Sequence, residues 1–96
     1  MLMLYFKLER YSSTPWNSLC SGSPGKRSID TFEDCQNAVG FVQTILPNTA
    51  DWVTEEEDSD FPKGCYLAHH FPKIFFNTAA TGSPHESARE ICIPGM

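Results

Sequence analysis

The sequence predicts an α+β fold: one short helix packed on a small antiparallel sheet and stapled by two disulfides. Three observations lead there. One capped amphipathic segment stands apart from several short aromatic-rich runs, and four widely spaced cysteines sit in a chain of only 96 residues. At 41% hydrophobic and 20% charged, with 7 prolines and 6 glycines, the chain is too apolar for a disordered tail and too interrupted for a coiled coil. Its length allows one small domain, expected as a four-cysteine unit over residues 20–96 behind an N-terminal strand or arm over 1–19.

The elements follow in order. Leu2, Leu4, Phe6 and Leu8 alternate with Lys7 and Glu9, which predicts a strand over 2–8. The same start lacks the basic flank and long apolar stretch of a signal peptide, so an oxidising location implies a targeting segment outside this sequence. Residues 11–27 have loop composition, anchored by Trp16, Leu19 and Cys20. A helix is predicted over about 31–43, capped by Asp30 or Thr31 with an acidic residue three positions on. Phe32, Cys35, Ala38, Val39 and Val42 share its apolar face, and Gly40 either stops it or lets it run to about Leu46.

Trp52-Val53-Thr54 predicts a short strand, followed by the acidic run Glu55-Glu56-Glu57-Asp58-Ser59-Asp60. Strands are then expected over 64–68 and 74–77, joined as a hairpin through His69 and His70. A last strand over 90–93, closed by Pro94, is expected at the sheet edge.

Cys20, Cys35, Cys65 and Cys92 are 15, 30 and 27 positions apart, without the short pairs from which structural zinc sites are built. Two disulfides are the expectation, and they imply an oxidising compartment. Spacing leaves three pairings open. The favoured one joins Cys35 to Cys65, tying helix to strand, and Cys20 to Cys92, tying the ends of the domain. As upper values the two closures restrict the unfolded chain by about 3.6 and about 4.4 kcal/mol.

Twelve acidic against seven basic side chains give a net charge of −5, which argues against nucleic acid and against anionic membrane surfaces as partners. No apolar run approaches the roughly 20 residues of a membrane-spanning helix. The acidic run lacks the Gly and Glu positions of an EF-hand loop and reads as a solvated loop, or else as a docking strip for a basic partner. His69 and His70, adjacent on a hairpin, point to opposite faces and cannot chelate one metal together; His85 stands alone in a loop. No G-x-S-x-G, G-x-G-x-x-G or P-loop occurs, so no catalytic residue, cofactor or metal is expected.

The aromatic fraction of 12% is high for so small a core. Tyr5, Phe6, Tyr11, Trp16, Trp52, Phe71, Phe75 and Phe76 either fill the interior or mark an interface. Two function classes follow. One is a non-catalytic structural or interaction subunit buried against larger partners, with most of residues 1–20 in contact with other chains and Leu4, Phe6 and Trp16 at those contacts. The other is a secreted binding module for carbohydrate or for a foreign enzyme.

Phe61-Pro62-Lys63-Gly64-Cys65-Tyr66, Ile74-Phe75-Phe76-Asn77-Thr78, Thr81-Gly82 and Ile91-Cys92, with Glu33-Asp34-Cys35 and Ala38 upstream, come in a distinctive order. Over roughly residues 20–93 this order resembles a small four-cysteine domain that recurs in proteins of microalgae. That family usually carries a basic residue after the last cysteine, where Ile93-Pro94 stands here. The resemblance implies no activity or ligand. With the aromatic load, it leads to the most specific expectation: a peripheral lumenal accessory subunit of a photosystem light-harvesting supercomplex, touching membrane-embedded photosynthetic subunits without binding pigment.

Overall fold

The computed structural model describes residues 10–70 and 72–95. The strand expected over 2–8, and with it Leu4, Phe6, Tyr5 and Phe71, lies outside the described residues. The elements run β1 (Ser12–Ser13), a 3-10 turn (Cys20–Gly22), β2 (Lys26–Ser28), α1 (Phe32–Asn37), α2 (Val39–Ile45), β3 (Val53–Glu56), β4 (Gly64–Ala68), β5 (Lys73–Asn77) and β6 (Ala88–Pro94). The fold is α+β, with a mainly antiparallel sheet, short helices and two disulfides.

The helical segment begins as its sequence requires. Thr31 caps it, its hydroxyl accepting from the Asp34 amide at 3.1 Å. The reciprocal half of the capping box is absent, because Asp34 accepts instead from the Tyr11 hydroxyl at 2.6 Å and pairs with Arg10 at 3.0 Å. One continuous helix was the expectation; the chain forms two, meeting at Ala38. Gly40 does not stop the second, which runs to Ile45.

The sheet order is β1-β6-β4-β5-β3, with β2 also paired to β6. The β4–β5 hairpin forms as expected, with Tyr66 opposite Phe75 and Leu67 opposite Ile74. One expectation is corrected. The C-terminal strand is not an edge: β6 pairs with β1, β2 and β4, so it is central. The strands expected to form the antiparallel sheet, β4, β5 and β6, do pair antiparallel, and β3 is added parallel to β5. Residues 11–19, grouped by sequence with the N-terminal arm, pack into the body through Tyr11, β1 and the bond from the Thr14 amide to the Glu90 carbonyl.

Strand alternation sorts the side chains. Cys65, Leu67, Ile74, Phe76, Ile91 and Ile93 face the helices and form the core with Cys35, Ala38, Val39 and Val42. Tyr66, Phe75, Glu90 and Cys92 take the intervening positions and so occupy the opposite, outer face. Each face therefore carries one disulfide. Cys35–Cys65 binds α1 to β4 in the core, and Cys20–Cys92 fastens the 3-10 turn to β6 on the outer side. Both are the favoured pairing, with Cα separations of 5.4 and 5.7 Å respectively.

β6 is long enough to serve two neighbours in succession: residues 88–90 pair with β4 and 92–94 with β2. Where one hands over to the other, the end of β2 lies against the start of β4. Gly64 sits there at φ 91°, and a Cβ on it would lie 2.8 Å from the Ile29 carbonyl oxygen, so the position requires glycine.

Candidate functional site: an aromatic groove on the outer face

The outer face is where this small sheet keeps aromatic surface that its core does not use. Tyr66 is only 2% exposed, yet it is not part of the core behind the sheet. Its cover comes from other rings. Phe75 on β5 stacks beside it at 5.4 Å between centroids with 21° between planes. Phe61 stacks on its other side at 5.6 Å and 9°. His85 continues the row at 4.3 Å from Phe61 and 21°. Phe61, Phe75 and His85 are half-buried, so the row is open to solvent along part of its length.

Two of these rings come from the sheet and two from loops. Phe61 is placed by the loop that follows the acidic run, and Asn77 holds that loop. Its side-chain nitrogen donates to the carbonyls of Asp58 at 2.7 Å, Phe61 at 3.2 Å and Pro62 at 3.0 Å. Its oxygen accepts from the amides of Asp58 at 2.9 Å and Ala79 at 3.1 Å. His85 is fixed by its own turn, Nδ1 accepting from the Ser87 amide at 3.0 Å.

Together Glu56, Phe61, Tyr66, Ala68, His70, Phe75 and Ser87 line a groove of about 260 Å3. Glu56 accepts a hydrogen bond from the Tyr66 hydroxyl. Burial, then that bond and the charges of Glu56 and Asp58, push the phenol well above its ordinary pKa, so it remains a proton donor. Of the acidic run, Glu56 lines the groove and the charge of Asp58 also reaches Tyr66, whereas Glu55 stands in register with Phe76 on the inner side of the sheet; among the described residues neither Glu56 nor Asp58 forms an ion pair. At the opposite end, Lys73 holds its ammonium 5.5 Å from the centre of the Phe75 ring.

Two further hollows lie near the junction of β2 and β4, sharing Ser28 and Lys63 in their lining. The larger, about 470 Å3, is lined by Arg27, Asp30, Lys63, Asn77 and neighbouring backbone, with Arg27 and Asp30 paired across 3.6 Å. The smaller, about 280 Å3, is lined by Ser21, Ser28, Lys63, Thr81 and Glu90. Glu90 is 1% exposed; one oxygen accepts from the Cys20 amide at 2.8 Å, and the other has no hydrogen-bond partner. Burial raises its pKa, against the smaller opposing pull of Ser28 and of the Cys20 amide.

All four cysteines are in disulfides, so no thiol nucleophile exists. Ser87 lies 2.8 Å from His85 Nδ1, but that nitrogen already accepts from the Ser87 amide in a local turn. Among the described residues no group of three or more His, Cys, Asp or Glu is placed to hold a metal ion, and no helix is long and apolar enough to cross a membrane. His69 packs against Trp16, ring centres 5.0 Å apart.

Trp16, expected at a contact with other chains, is half-buried within this one, with the Arg89 guanidinium 5.1 Å from its ring centre. Tyr11 and Phe76 are buried, whereas Trp52 is 61% and Phe32 41% exposed. Sequence reading singled out Phe75 but missed Phe61 and Tyr66 as its companions. The available signal was the alternation that sends Tyr66 and Phe75 to the same face. No protein-family model matches the chain, and no curated protein or solved structure is similar enough to assign it to a family.

Proposed function

We propose that this chain is a non-catalytic interaction subunit that works in an oxidising compartment and joins a larger assembly through its outer aromatic groove. The observation that carries this reading is the row Phe75–Tyr66–Phe61–His85, half-open to solvent beside the carboxylates of Glu56 and Asp58. Aromatic residues concentrate at protein interfaces because they bury large area with few rotatable bonds, and a polar rim sets the partner's charge. Two disulfides suit an oxidising location. The finer form of the reading, a peripheral lumenal accessory subunit of a photosystem light-harvesting supercomplex, draws on the microalgal resemblance and on that redox inference.

The nearly parallel rings also favour a second reading, a secreted module on whose aromatic steps a sugar ring could lie. Native co-purification with chemical cross-linking separates the two. A subunit travels in a defined assembly from which Phe75→Ala releases it, with its fold retained by circular dichroism. A secreted module runs as a monomer and is retained on immobilised oligosaccharide.

A further inference from the structure

We propose that the smaller hollow beside β6 binds a neutral polyhydroxy molecule of monosaccharide size, one of whose hydroxyls donates to Oε2 of Glu90. The site is separate from the aromatic groove, and the proposal does not depend on the interaction role argued above.

Glu90 is the residue that points there. It is a carboxyl on the central strand, 1% exposed, and only one of its oxygens is served, by the Cys20 amide at 2.8 Å. Oε2 has no hydrogen-bond partner among the described residues. A buried polar atom without a partner is costly, and folded proteins keep few of them. Oε2 also faces space that β4 leaves open: a Cβ on Gly64 would stand 3.6 Å from it, and Gly64 has none. Glu90 lines the hollow together with Leu19, Ser21, Ser28, Lys63 and Thr81.

The lining selects the class of ligand. A carboxylate oxygen accepts and cannot donate, so the ligand must bring a donor. That donor also favours the ionised carboxyl, the form that burial opposes. A cation would meet Lys63, which lines both hollows, and Arg27 in the larger one. An anion would meet Glu90 itself. A neutral donor is left, and the wall favours a ligand with several. Ser21, Ser28 and Thr81 bring hydroxyls, which donate and accept as those of a sugar do. Lys63 spends one long bond of 3.4 Å on the Ala80 carbonyl, which leaves ammonium hydrogens for a ligand oxygen. Leu19 supplies apolar contact for C–H groups. At about 280 Å3 the hollow falls just below the range of drug-sized pockets, about 300–1,000 Å3, and suits one sugar ring better than a chain of them.

The test uses the disulfide-intact chain at pH 7, with D-glucose, D-galactose and D-mannose as separate probes in an NMR titration. The expected result is saturable binding of at least one hexose. The largest amide shifts should fall at Ser21, Thr81 and Gly82, and the Glu90 side-chain carboxyl resonance should move with them. Surface association would leave that buried carboxyl still. Glu90→Gln keeps an acceptor for the Cys20 amide but puts an NH2 in place of Oε2, and should weaken binding about tenfold. Thr81→Val, at an exposed position, should weaken it about threefold with an unchanged urea midpoint. Should Glu90→Gln fail to fold, Thr81→Val and the carboxyl resonance decide. Binding of none of the three hexoses overturns the proposal, since the hollow would then hold water only. So does an unmoved Glu90 carboxyl, or equal binding of methylammonium or acetate. Phe75→Ala should leave hexose affinity unchanged; loss of binding in that variant would put the sugar on the aromatic groove and overturn the assignment to Glu90.

Discussion

Replacing Asn77 by Asp changes no heavy-atom shape, yet it reverses the polarity at the residue that holds the Phe61 loop. The amide nitrogen donates toward three carbonyls, those of Asp58, Phe61 and Pro62, in a site 1% exposed. An ionised carboxylate there would turn an oxygen toward three other oxygens. The folded protein must therefore keep the new acid protonated, or let the loop go. Holding a carboxyl protonated at pH 7 against an ordinary pKa of about 3.9 costs about 4 kcal/mol. Of the two donor hydrogens one remains, and the loss of the other adds about 1 kcal/mol. Partial release of the loop relieves some of this, so the expected loss of unfolding free energy at pH 7 is about 3–5 kcal/mol. A domain of this size has a total of about 5–15 kcal/mol.

The sign with pH follows from the same argument. The new carboxyl has a folded pKa above its unfolded one, so the folded state binds the extra proton. The penalty is smallest below the unfolded pKa, about 1 kcal/mol at pH 3 from the lost donor alone, and it grows as pH rises toward the folded value. Urea unfolding at pH 3 and pH 7, disulfides intact, measures both, and amide exchange at Asp58 and Ala79 reports the loop directly. A loss under about 1 kcal/mol at pH 7, or an equal loss at both pH values, would refute the claim that Asn77 anchors the groove.

Three other outcomes are expected. Gly64→Ala combines φ 91° with a Cβ 2.8 Å from the Ile29 carbonyl oxygen, and should cost at least about 2–3 kcal/mol in urea unfolding. Glu90 has a raised folded pKa, so its contribution to stability is fully present below the ordinary glutamate value and is lost as pH rises through the folded one. Glu90→Gln should therefore remove that part of the decline, visible as a wild-type-minus-variant difference in unfolding midpoint that changes sign or slope above pH 4.5. Non-reduced intact mass should lie four hydrogens below the reduced mass, with peptides linking Cys20 to Cys92 and Cys35 to Cys65. Replacing Cys20 and Cys92 together by Ala should cost about 4 kcal/mol at most, read from the shift in urea midpoint.

Local signals in the sequence were accurate where the physics is local. Thr31 caps α1 because its hydroxyl reaches an amide three residues on, and that needs no tertiary partner. The β4–β5 hairpin was legible because Cys65, Leu67, Ile74 and Phe76 alternate with Tyr66 and Phe75 on strands joined by a short turn. Two disulfides were legible from four spaced cysteines in so small a chain; spacing left three pairings open, and the favoured one, helix to strand and end to end, is the one formed. The central place of β6 was not legible. Its partners β1 and β2 are short and polar, Ser12–Ser13 and Lys26–Ser28, and carry no hydrophobic pattern. Pro94 at the end of β6 reads as an edge signal, although the strand's inner face holds Ile91 and Ile93 in the core. β3 has a single buried apolar residue, Val53, so its parallel pairing with β5 depends on contacts distant in sequence.

The candidate site was half legible for the same reason. Alternation alone sends Tyr66 and Phe75 to the face away from the helices, and the acidic run is plain in the sequence. What joins them is Asn77, whose role depends on a buried amide meeting three carbonyls of a loop 15 to 19 residues earlier in the chain. Asn77 occupies the last position of β5, opposite Gly64, so the end of one strand both closes the hairpin pairing and carries the loop with Phe61 across Tyr66. The Cys35–Cys65 bridge lies one residue from Gly64 on the other face and anchors that same strand end to α1. A perturbation that loosens Asn77 should therefore release the groove before it releases the core. In the Asn77→Asp protein at pH 7, the Phe61 ring shift should be lost at urea concentrations where the core signal of Ile74 and Leu67 is still native. Simultaneous loss of both would show that groove and core form one cooperative unit.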